Sequence, residues 1–129
     1  MTIKTIEHGD SALWPLMGPY FASEKIYRGR GAGMPMFSEK GTTWLVAVEG
    51  ELVMGWAAIQ PGKVYRLRYT YSFDEPEVFD ALLAEATSKV SPLTAHIHSK
   101  HEASFAKHGF VRVGTTKGSW ITVAKGTSG

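Results

Sequence analysis

Two periods of hydrophobicity take turns along this chain. Thr2-Ile3-Lys4-Thr5-Ile6 switches between polar and apolar at each step, the period of a half-buried strand. Leu13, Leu16, Met17, Tyr20 and Phe21 then recur three and four residues apart, which gathers them on one face of a helix. Ser11 or Asp10 stands where a side-chain oxygen accepts a free N–H of the first turn, and Pro15 lies where a missing N–H is tolerated. Thr42–Val48 and Leu52–Ile59 are two apolar runs either side of Glu49-Gly50-Glu51, a hairpin signature that Pro61-Gly62 closes. Val64–Tyr71 alternates again, which predicts Tyr65, Leu67, Tyr69 and Tyr71 on one face and Arg66 and Arg68 on the other.

Beyond Pro76 the helical period returns, with Val78, Leu82, Leu83 and Ala86 forming one side. Leu93–His98 reads as a fifth strand, Glu102–Lys107 as a short helix ended by Gly109, and Phe110–Val123 as a final strand or hairpin. The order is strand, helix, hairpin, strand, helix, strand, helix, strand, with no internal repeat and no linker. It predicts a mixed sheet with helices on its faces, in the α/β (α+β) class, with residues 1–125 forming one domain and 126–129 a frayed tail.

Composition narrows the functional classes. The chain has 129 residues, a net charge of +2 and no cysteine, so disulfides, zinc–thiolate sites and thiol nucleophiles are excluded. No apolar run approaches the roughly 20 residues that span a bilayer, and the N-terminus lacks the apolar core of a signal peptide. A cytoplasmic protein without membrane partners is the expectation. The small net charge conceals a polarised layout. Asp74, Glu75, Glu77, Asp80 and Glu85 are five of the twelve acids, whereas Arg28, Arg30, Arg66 and Arg68 are four of the five arginines.

From Leu93 to Phe110 the chain resembles the GCN5-related N-acetyltransferases, and the element order extends the resemblance over most of its length. The telling segment is His98-Ser99-Lys100-His101-Glu102-Ala103-Ser104-Phe105-Ala106-Lys107-His108-Gly109-Phe110. Members of that family end the fifth strand on asparagine and continue into a short helix carrying a tyrosine, then lysine and Gly-Phe. Here His98 stands at the asparagine position and Phe105 at the tyrosine position, while Lys107 and Gly109-Phe110 match. The resemblance implies a single, mostly antiparallel mixed sheet and an acyl group passing from a thioester, such as acetyl-CoA or another acyl-CoA, to an amine on a small molecule or macromolecule. It also implies that the fourth-strand end, Tyr69-Thr70-Tyr71, offers backbone groups to the pantetheine arm. His98 and His101 are the acid–base candidates, since imidazole titrates near neutrality and Phe105 has no proton to give.

One part of the family pattern is missing. The loop that grips the coenzyme A diphosphate, Arg/Gln-x-x-Gly-x-Gly at a helix start, is replaced by Asp74-Glu75-Pro76-Glu77, which has no glycine, lacks one N–H and carries three carboxylates. Arg28-Gly29-Arg30-Gly31-Ala32-Gly33 fits that formula letter for letter, but no strand precedes it and no amphipathic helix comes after it. Its arginines are instead candidates for clamping a phosphate or a nucleic-acid backbone, with Arg66 and Arg68 extending the patch. The competing reading is a mobile surface loop and a two-faced strand with solvated arginines.

His96, His98 and His101 have a spacing that can ligate a metal, but without an identifiable carboxylate partner no metal site is assigned. Trp14, Trp44, Trp56 and Trp120 are expected in or near the core, and Met34, Met36 and Phe37 as an apolar lip beside the arginine loop. The missing loop and Phe105 leave an alternative open: a non-catalytic protein of this fold used for binding or assembly. Phage proteins, including internal virion proteins, supply small divergent examples that this chain resembles, and a virion location would then be expected. An open cleft beside Tyr71 is the mark of an enzyme, and a cleft filled by side chains the mark of a scaffold.

Overall fold

A computed structural model of the chain describes residues 1–21, 23 and 36–126, with the backbone alone at 116 and 117. Seven strands form one sheet: β1 (Thr2–Glu7), β2 (Thr43–Glu49), β3 (Leu52–Gln60), β4 (Tyr65–Tyr71), β5 (Leu93–His98), β6 (Val111–Lys117) and β7 (Trp120–Lys125). Their spatial order is β1-β2-β3-β4-β5-β7-β6. Each neighbouring pair is antiparallel except β4 and β5, which run parallel and are joined by a helical crossover. The helices are α1 (Leu13–Phe21), α2 (Pro76–Lys89) and α3 (Glu102–Ala106), with a single 3₁₀ turn at Ser99–His101 leading into α3.

The sheet separates two apolar clusters. On one face Val78, Phe79, Leu82, Leu83 and Ala86 of α2 and Phe105 of α3 pack on Leu45, Ala57, Leu67, Ala95 and Ile121. On the other, Leu13, Met17 and Phe21 of α1 pack on Trp44, Val46, Trp56 and Ala58. Successive β2 residues thus serve opposite cores, which is why the strand is apolar throughout and does not alternate. α1 begins where the Asp10 carboxylate accepts the Ala12 N–H at 2.9 Å. The closing segment is a hairpin, turned at Gly118 with φ +59°.

Three sequence expectations are corrected. Trp14 is 61 % exposed, whereas Trp44 and Trp56 are fully buried. Trp14 stands one position off the core-facing Leu13, Met17 and Phe21 and only edges onto Phe21, 5.0 Å between ring centroids. Met36 is not a surface lip: its thioether accepts the Trp56 indole N–H inside the α1 core, and Phe37 alone of that pair is exposed. The alternation of β4 also fails, at Tyr69, where the strand departs from its register with β3.

Candidate functional site

β4 and β5 are paired only at Tyr65–Leu93, Arg66–Thr94 and Leu67–Ala95. Beyond Leu67 and Ala95 they diverge, and the divergence has a local cause. Between Arg68 and Tyr71 β4 spans three steps while β3 opposite spans two, from Ala58 to Trp56, so β4 carries a bulge. Tyr69 takes up the extra residue with φ +61°, a left-handed conformation uncommon outside glycine. The bulge bends β4 away from β5 and rotates the residues after it. Leu67 faces the α2 core, but Tyr69 and Tyr71 both pack against the α1 core, on the face of Arg68. Tyr69 stacks on Trp44, with centroids 6.0 Å apart and planes 7° apart, and the Arg68 guanidinium lies 4.7 Å over the Tyr69 ring. The predicted separation of tyrosines from arginines therefore holds only as far as Leu67.

The opening left between the two strands is a cavity of about 140 Å³. Its β4 wall runs from Leu67 to Ser72 and includes all of Tyr69, Thr70 and Tyr71, and its β5 side carries His96, Ile97 and His98. Asp74, Phe79, Lys100, His101, Phe105 and Trp120 complete the lining. The cleft beside Tyr71 is open rather than filled. Both acid–base candidates from the sequence, His98 and His101, meet there.

The two imidazoles are held differently. His98 Nδ1 accepts the Lys100 backbone N–H at 3.1 Å, which closes the 3₁₀ turn and leaves Nε2 to carry the proton of the neutral ring. Its ring also meets Trp120 edge to face at 5.7 Å. His101 is half-buried and lies flat on Phe79, centroids 5.3 Å apart. Burial, then the neighbouring charges of Lys100 and His98, push its pKa below the ordinary histidine value, with Asp74 opposing. Burial and the Asp74 carboxylate push the Tyr71 phenol above its usual range, so its hydroxyl keeps its proton. Phe105, at the position where the resembled family has tyrosine, is buried between Phe79 and Phe110.

Arg68 reaches the cleft and Arg66 does not. Both donate to the buried Gln60 Oε1, Arg66 at 3.4 Å and Arg68 at 3.2 Å, which fixes them on one face of β4. Arg28 and Arg30 lie outside the described residues. His96 stacks on Trp120, 20° between planes, and among the described residues no three His, Asp or Glu side chains gather as a metal site. Sequence reasoning missed three contributors: the Tyr71 phenol, Phe79 as the platform for His101, and Asp74 as a cleft residue. The helical stripe placed Phe79 beside Val78 on the core side, but only the fold shows what it touches.

The β4–α2 turn disagrees with a diphosphate site. Ser72 accepts the Glu75 N–H at 3.0 Å across Phe73 and Asp74, both with positive φ of 50° and 62°. Glu75 caps α2 without a side-chain hydrogen bond, Pro76 opens the helix, and Glu77 lies in its first turn. Carboxylates suit this helix end, and once there they repel a phosphate that the same helix end would otherwise attract.

No known protein family and no curated protein matches the chain by sequence. Solved structures do match by shape. ElaA of Escherichia coli superposes with a TM-score of 0.74 at 11 % identity, over 97 % of this chain and 99 % of that one. An acyl-CoA N-acyltransferase from Pseudomonas aeruginosa gives 0.69 at 15 % identity, over 97 % and 99 %. The PaiA N-acetyltransferase of Thermoplasma acidophilum, solved in complex with coenzyme A, gives 0.62 at 16 % identity, over 98 % and 100 %. The chain thus has the GCN5-related N-acetyltransferase fold along almost its whole length.

Proposed function

We propose that the protein is an N-acyltransferase, moving an acyl group from a thioester to an amine. The observation that carries this reading is the open cleft between β4 and β5, lined by the imidazoles of His96, His98 and His101 and by a protonated phenol. In this reading the acyl carbonyl lies against the Tyr69–Tyr71 backbone. His101, kept uncharged by burial, accepts the proton of the attacking amine as the carbon–nitrogen bond forms. The carbon–sulfur bond then breaks, and the departing thiolate takes a proton from the Tyr71 hydroxyl or from His98 Nε2, roles that Phe105 cannot fill. The acceptor is a primary amine on a small molecule or macromolecule, reached from the cytoplasm.

The rival reading, a fold retained for binding or assembly, calls for a cleft filled by side chains, and the cavity favours the enzyme. Thiol release tests the reading directly. The chain contains no cysteine, so free thiol appearing in a mixture of acetyl thioester and a panel of amines comes from the donor alone. Amine-dependent release that falls about a hundredfold in His101→Ala is expected. Absence of such release with acetyl-CoA and with acetyl-pantetheine overturns the proposal.

A further inference from the structure

The two ends of a coenzyme A thioester meet opposite conditions at this cleft. Between the diverging strands there is space on the scale of a benzene-sized ligand, about 140 Å³ in all, with apolar rings from Phe79, Phe105 and Trp120 in its lining and a strand edge without a partner strand. At the β4–α2 mouth, where a diphosphate would have to lie, two successive backbone positions have no N–H to offer. The turn spends the Glu75 N–H on Ser72, and Pro76 has none. Asp74, Glu75 and Glu77 are exposed there, and among the described residues they outnumber the two permanent cations of the cleft lining, Arg68 and Lys100. Each carboxylate about 4 Å from a phosphate weakens binding roughly fivefold even at water-like screening.

We infer that the cleft recognises its donor by the acyl-pantetheine arm alone, so that pantetheine thioesters are bound without help from a nucleotide. This deepens the acyl-transfer reading above and rests on it. The same bonds form and break; what changes is the part of the donor that is recognised. A pantetheine thioester carried on a protein or on a short phosphate is then as good a donor as one carried on adenosine.

Titration calorimetry on the full chain with coenzyme A and with pantetheine tests this. Coenzyme A is expected to bind no tighter than pantetheine and up to about tenfold weaker, with its binding strengthened by moderate salt because the repulsion is screened. In Glu75→Gln/Glu77→Gln, coenzyme A should bind about tenfold tighter while pantetheine stays within about twofold. Neither residue lines the cleft, and Glu75 caps α2 without a side-chain bond, so the helix start survives the change. Coenzyme A binding more than about tenfold tighter than pantetheine, or weakening with salt, overturns the inference and leaves acyl transfer standing. Failure of both ligands to bind, with no amine-dependent thiol release, overturns both.

Discussion

His101 lies flat on Phe79, with 19° between the ring planes, so that the first turn of α2 shields one face of an imidazole delivered by the 3₁₀ turn after β5. That shielding is the main reason the free base persists below the ordinary histidine range. Activity should therefore hold as the pH falls through 6.5, with its acid limb at lower pH. In Phe79→Ala the limb should move up toward 6.5. A titration of the His101 ring by NMR checks it, and a wild-type midpoint at or above 6.5 contradicts it. The sign for stability is fixed by the same shift. The unfolded chain binds this proton more readily, so stability rises with pH below 6.5 and levels off above it.

Tyr71→Phe removes the phenol but keeps the ring against Trp56, 5.3 Å between centroids. The expected result is a fall in kcat of about tenfold or more with KM little changed. The alkaline limb of the wild-type profile should lie above the usual tyrosine range, because burial and Asp74 hold the proton on. An unchanged kcat assigns the thiolate's proton to His98 instead.

Gly55 is where β3 passes under the β4–α2 junction. A Cβ built there comes within 2.5 Å of the Tyr71 carbonyl oxygen, 2.9 Å of Val78 Cγ1 and 3.1 Å of Ser72 Cα. Two of the three are backbone, so Gly55→Ala forces the end of β4 to shift. A loss of about 1–3 kcal/mol is expected, together with a loss of activity in the fraction that remains folded. Chemical denaturation and thiol release on the same preparation separate the two effects.

Trp56 is fully buried and touches Tyr20, Tyr71 and Phe73. Trp56→Ala should cost about 3–5 kcal/mol, close to the whole stability of a marginal domain. Trp56→Phe should lose less, since it keeps much of the ring packing but gives up the N–H bond to Met36. Thermal unfolding ranks the two.

Element order was legible because each element answers to one period and one core: the α2 stripe and the hairpin around Gly50 come from spacing alone. The bulge at Tyr69 was not, since a single extra residue leaves the apolar pattern of Tyr65–Tyr71 unbroken while turning its later side chains to the other face. His98 and His101 were legible through the segment that runs to Gly109-Phe110. Their surroundings were not: Phe79 and Asp74 arrive from a different element, and such contacts have no sequence period. The phosphate-loop formula at residues 28–33 lies outside the described residues.

The three rungs joining β4 to β5 also say something mechanical. The sheet is two plates, β1–β4 and β5-β7-β6, fastened near one corner at Leu67 and Ala95 and strapped by α2 across the first plate. Widening the gap beyond the last rung breaks few backbone hydrogen bonds and stretches no strand. A ligand seated between the plates completes the ladder and stiffens the gap. Its arrival would slow amide hydrogen exchange most at the β4 and β5 positions beyond the last rung, far more than in the paired strands on either side.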